Sequence, residues 1–162
     1  MEQKWIPVEE RTRSWEGDSM EDRYLEGDSM ETRYLYRAKR IDNGCWMCGY
    51  IARYGHTGKE KYYIIPSYAS DLYSFLIDEN TICQCTGLTD KNGKLIWEND
   101  IVRDEHGNFY KAFWQNNYYQ FSWVCVKTDV FSIGAKWDFW SIKSFEIEVI
   151  GNVFDNPELL EV

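Results

Sequence analysis

IVRDEHGNFYKAFWQNNYYQFSWVCVK, residues 101–127, decides the fold class. Three apolar, β-branched and aromatic runs, 101–104, 109–114 and 119–127, alternate with two polar breaks, His106-Gly107-Asn108 and residues 115–117. Short runs of this composition at eight- to twelve-residue spacing read as antiparallel strands of a small barrel or sandwich. Working toward the N-terminus, Asp90-Lys91-Asn92-Gly93 is a tight turn into a strand at 94–97, and another strand covers 81–86. Further back, Asp42-Asn43-Gly44 separates strands at 34–41 and 45–54, because Asn-Gly accepts positive φ. A strand at 61–65 is stopped by Pro66, and 68–77 reads as a short helix. Toward the C-terminus, a strand at 145–149 precedes a turn in which Pro157 suits the first position of a brief helix.

The chain has 162 residues, enough for one core. Aromatics make up 17% of it, which favours strands. No apolar run is long enough to span a bilayer, and the charged N-terminus does not read as a signal peptide. The expected location is the cytoplasm of a bacterial host. A net charge of −9 disfavours binding to nucleic-acid backbones and suits a basic protein partner.

The phrases TGLTDKNGKLIWENDIV (86–102) and VIGNVFDNPELLE (149–161), with YLYRAKRIDNGCWMCGY (34–50), resemble the YopX family of phage and prophage proteins. The resemblance spans about residues 33–161. Asn99 stands where that family usually has Gly, and Cys85 where an aromatic is usual. The resemblance implies a phage setting and no established chemistry. The Asp-Ile-Val strand, its turn and the aromatic strand after it look SH3-like. The expected fold is α+β, predominantly β: a small SH3-like barrel with hairpins and one or two short helices, at residues 33–162.

Residues 1–32 read as a variable leader. The first 36 residues carry ten acids and five bases, and EGDSMEDRYL (16–25) repeats as EGDSMETRYL (26–35). Ten residues is not a helical period, and two copies do not build a solenoid. The Glu-Gly-Asp codons before Met20 and Met30 can encode a ribosome-binding sequence, so the expectation is a translated leader with duplicated start signals.

Sites weigh as follows. The Gly-Asp-Ser phrases resemble a lipase/esterase nucleophile block, but no base stands at the needed Asp-x-x-His spacing. Asp90-x-Asn92-Gly93 begins like a calcium loop, but its twelfth position is Ile101. No phosphate-binding glycine motif is present. Cys45 and Cys48 with Cys83 and Cys85 would hold zinc only if their strands lay side by side; buried thiols packing as small hydrophobes are the plainer expectation. His56 and His106 fall in glycine-containing turns. Glu98, Asp100, Asp104 and Glu105 form a candidate acidic edge for a basic partner. Trp114, Tyr118, Trp137 and Trp140 are candidate contact aromatics, with residues 128–143 the candidate binding loop or oligomer contact.

The expected function is a non-enzymatic phage accessory protein, without cofactor, that binds a host or phage protein. One version is an inhibitor that occupies the basic groove of a host defence nuclease. The alternatives are a nucleic-acid-binding regulator using the barrel and its aromatics, and a self-assembling structural protein.

Overall fold

The computed structural model describes residues 32–68, 73–143 and 146–161. The expected start signals and residues 16–31 of the repeat lie outside the described residues; its last residues form the 3-10 turn Thr32–Tyr34 ahead of β1.

Two antiparallel sheets carry the fold. The first holds β1 (Tyr36–Lys39), β2 (Trp46–Tyr54), β3 (Lys61–Pro66), β4 (Phe75–Leu76), β5 (Cys83–Thr89) and β6 (Leu95–Trp97) in the order β4-β3-β2-β1-β5-β6. The second holds β7 (Asp100–Arg103), β8 (Phe109–Gln115), β9 (Gln120–Lys127), β10 (Lys136–Asp138) and β11 (Glu148–Asn152) in the order β10-β9-β8-β7-β11. The β1–β2 hairpin turns where Asn-Gly allows it: Gly44 has φ +70° and the Asn43 side chain accepts from Cys45 N at 3.0 Å. Gly49 faces Pro66 across the β2–β3 pair, and a Cβ there would stand 1.9 Å from the Ile65 carbonyl oxygen, so only glycine permits this approach.

Three expectations are corrected. The second sheet has the SH3-like arrangement, a meander whose last strand returns beside its first, but it stays open. β10 has only three residues, and the outer side of β11 is taken by the turn after β5, where Val149 N donates to Asp90 at 3.0 Å. β10 and β11, the two edges of this sheet, do not pair with each other. The helix expected at 68–77 is absent over its described part. Phe75 and Leu76 pair with β3 instead, Ile77 N donates to Tyr62 O at 3.1 Å, and Arg40 lies 3.9 Å from the Phe75 ring centre. Residues 69–72 lie outside the described residues. The last strand begins three residues later than expected, at Glu148, because Glu146 closes a turn on the Lys143 carbonyl at 3.0 Å. Among the described residues, helical structure is limited to 3-10 turns, including Pro157–Leu160 with Pro157 at its start.

Cores form under both sheets. Ile64, Ile77, Ala38 and Met47 pack beneath the first, and Ile96, Val102, Tyr110, Ala112, Trp123, Cys125 and Ile147 beneath the second. Between them Leu35, Cys83, Cys85 and Trp97 make a third cluster. The chain crosses from sheet to sheet at Glu98 and Asn99. Asn99 holds φ +67°, which explains why glycine is usual there in the family the sequence resembles, and its N–H donates to Ala112 O at 2.8 Å. No helix among the described residues is long and apolar enough to cross a membrane.

Candidate functional site: an acidic, aromatic-walled groove

The four acids read together from the sequence part company in the fold. Asp100 is a correction: it is 1% exposed, not on a surface edge. It pairs with Arg37 of β1, itself 4% exposed, and its second oxygen accepts from Trp97 N at 2.8 Å. The Arg37 guanidinium lies 4.7 Å from the Trp46 ring centre and 5.5 Å from that of Trp97. Burial pushes the Asp100 carboxyl up to about 6, against the pull of Arg37. This ion pair ties the sheets together. Glu98 is half-buried at the crossover, its N–H donating to Gln84 O at 2.9 Å.

Asp104 instead builds the β7–β8 turn. One of its oxygens accepts from His106 N and Asn108 N, both at 2.9 Å; the other accepts from Asn108 Nδ2 at 2.8 Å and Tyr110 Oη at 3.0 Å. Burial alone would raise this carboxyl, but the bonds from Asn108, Tyr110 and His106 outweigh it and hold it below its ordinary 3.8. Burial and the neighbouring Asp104 push the Tyr110 hydroxyl well above its usual range. Glu105 projects into solvent beside His106, 3.6 Å from Nε2.

This turn is one lip of a groove of about 200 Å³ lined by residues of β7–β8 (Asp104, Glu105, His106, Asn108, Tyr110) and of the later segment (Phe131, Trp137, Ser141, Ile142, Glu146, Ile147). Trp137 joins its aromatic lining residues. Tyr110 meets it edge-on at 5.7 Å and 87°, and Phe131 at 5.4 Å and 69°. Thr128 supports the Phe131 side: its hydroxyl donates to Asn108 Oδ1 at 2.7 Å and accepts from Phe131 N at 3.1 Å.

Asp104, Glu105 and Trp137 are therefore the sequence-predicted residues the fold brings together. Phe131, Ser141 and Ile142 fall within the candidate loop 128–143 without having been singled out. Glu146 and Tyr110 gave no signal, since their role depends on contacts between distant strands. The remaining aromatics lie away from the groove lining. Trp114 leans on Phe121 at 5.0 Å at the β8–β9 hairpin, Tyr118 is 68% exposed at its tip, and Trp140 is 92% exposed. Trp123, by contrast, is fully buried and stacks on Phe139 at 4.4 Å.

The cysteine pairs do not converge. β1 runs between β2, which carries Cys48, and β5, which carries Cys83 and Cys85. Arg37 faces Cys48 on one side and Cys83 on the other, so the pairs stand about 10 Å apart, two strand spacings. Burial pushes the Cys83 and Cys85 thiols up to about 11. Cys45 is exposed beside the β1–β2 turn. His56 and His106 are both exposed in turns.

The YopX family model, described as YopX protein, matches residues 12–161. The chain belongs to the YopX family. The match begins ahead of residue 33, where the sequence resemblance becomes dense. Among solved structures, protein EF1440 from Enterococcus faecalis is similar to this YopX chain at 20% identity and a TM-score of 0.42, covering 78% of this chain and 96% of that one. That similarity is too distant to carry an argument. No curated protein matches.

Proposed function

We propose that this YopX protein is a non-enzymatic phage or prophage accessory protein that works in the host cytoplasm by binding a basic host or phage protein. The groove supports this reading. Its described lining holds Asp104, Glu105 and Glu146, with His106 and no lysine or arginine, although Glu146 itself pairs with Lys143 at 3.2 Å. Its walls are the residue types that anchor protein contacts. A net charge of −9 steers cationic partners and repels phosphate backbones. The concrete version is an inhibitor that covers the basic nucleic-acid groove of a host defence nuclease.

The test is a paired capture from nuclease-treated host lysate, using the native protein and the Glu105→Lys/Glu146→Lys variant. Both residues are at least 48% exposed, so the fold should survive their exchange. One stoichiometric protein held by the native form and lost from the variant is expected. Equal capture by both, or binding only to oligonucleotides, would overturn the reading.

A further inference from the structure

We infer that the groove is a socket for one arginine side chain, presented by a basic segment of the partner; this rests on the protein-binding reading above. Size argues first. About 200 Å³ falls short of the roughly 300–1,000 Å³ of small-molecule sites, and suits a single inserted side chain. The walls argue next. Trp137 meets Tyr110 at 87° and Phe131 at 69°, with Tyr110 buried behind it and Phe131 48% exposed, and an aromatic face attracts a cation.

The carboxylates then divide their work. Both Asp104 oxygens are occupied by bonds within the turn, so Asp104 supplies negative potential without direct contact. Glu105, beside His106, and Glu146, paired with Lys143 at 3.2 Å, both line the groove with side chains 74% and 48% exposed. An incoming donor can reach Glu105 directly and would compete with Lys143 for Glu146. A guanidinium presents five donors in a planar fork and stacks on rings; an ammonium does neither. The same molecule already holds a guanidinium in this manner, since Arg37 lies between Trp46 and Trp97 against Asp100. The groove repeats that chemistry at the surface, with the cation left for the partner to bring.

The experiment titrates the full-length protein with N-acetyl-Gly-Arg-Gly-amide and with its lysine and citrulline counterparts, following the indole N–H signal of Trp137 by NMR. The arginine peptide is expected to shift that signal and to bind more tightly than the lysine peptide. Citrulline keeps the shape without the charge and is expected to bind at least about fivefold more weakly. Glu105→Gln/Glu146→Gln, which leaves the aromatic walls intact, is expected to weaken the arginine peptide by about fivefold, as the loss of two partly exposed charges would. Equal binding of arginine and citrulline peptides, or an unmoved Trp137 signal at millimolar peptide, overturns the inference. The two readings fail separately. If charge reversal abolishes partner capture while arginine and citrulline behave alike, the protein-binding reading stands and the arginine socket falls. If the arginine peptide occupies the groove while charge reversal leaves capture unchanged, the socket stands and the partner-binding reading falls.

Discussion

Replacing Arg37 with methionine tests the centre of the fold. Methionine keeps most of the apolar stem between Trp46 and Trp97, so packing changes little and charge dominates. Asp100, 1% exposed, is left without its guanidinium. Removing one partner of a buried pair costs about 3–5 kcal/mol, because the other charge stays buried and uncompensated. Domains of this kind are stable by only about 5–15 kcal/mol, so the loss is a large share. Adding Asp100→Asn removes the orphan charge, while an amide oxygen can still accept from Trp97 N. The double variant is therefore expected to regain at least half of the loss. Urea unfolding at pH 7, followed by tryptophan fluorescence, measures both. The effect also has a pH signature. Burial already raises the Asp100 carboxyl from 3.8 to about 6, and losing Arg37 raises it further. A raised carboxyl makes the folded state hold its proton above the unfolded value, so stability falls as pH rises from about 4 through the folded pKa. Arg37→Met should thus be less impaired at pH 5 than at pH 7. A cost below about 1 kcal/mol, the range of exposed pairs, would refute this reasoning. So would a double variant no more stable than the single one.

Asp104→Ala is expected to cost about 2 kcal/mol, chiefly by orphaning the Tyr110 hydroxyl of a residue only 3% exposed. Because the Asp104 carboxyl is held below 3.8 in the fold, its contribution is present above about pH 4 and is lost as pH falls through the folded pKa. The gap between the melting curves of native and variant protein should narrow, without closing, as the pH falls below about 4, because the protonated carboxyl can still accept from Tyr110; a gap that widens in acid would count against the assigned hydrogen bonds. At Asn99, whose φ is +67°, substitution by glycine is expected to change stability by less than about 0.5 kcal/mol, and by alanine to cost about 1 kcal/mol. Equal unfolding midpoints for the glycine and alanine variants would contradict the strain assigned to that corner.

Turns were the most legible part of the sequence, because their chemistry is local. Gly44, Gly93 and Gly107 all take positive φ, as the Asn-Gly, Asp-x-Asn-Gly and His-Gly-Asn phrases predict. Strand edges followed to within a few residues wherever turns bounded them. The strand at Phe75–Leu76 was not legible, since two residues show no period and exist as a strand only through β3. Asp100 read as one of four surface acids because nothing nearby announces its partner, which lies 63 residues away. Trp137 was singled out among many aromatics, but Tyr110, Phe131 and Glu146 were not. What unites them is the pairing of β9 with β10 and the return of the chain through residue 146, both long-range events.

The last turn of the chain also sets a schedule. Asp155 accepts from the indole of Trp46 at 2.6 Å and pairs with Lys39, while β11 supplies the outermost strand beside β7. Residues 148–155, made well after β1 and β2, therefore clasp both that hairpin and the first strand of the second sheet. On the ribosome, where chains fold from the N-terminus as they emerge, the hairpin of β1 and β2 can form while the groove side of the protein is still unmade. A chain interrupted before Glu148 would lack both the strand that flanks β7 and the Asp155 clasp on Lys39 and Trp46.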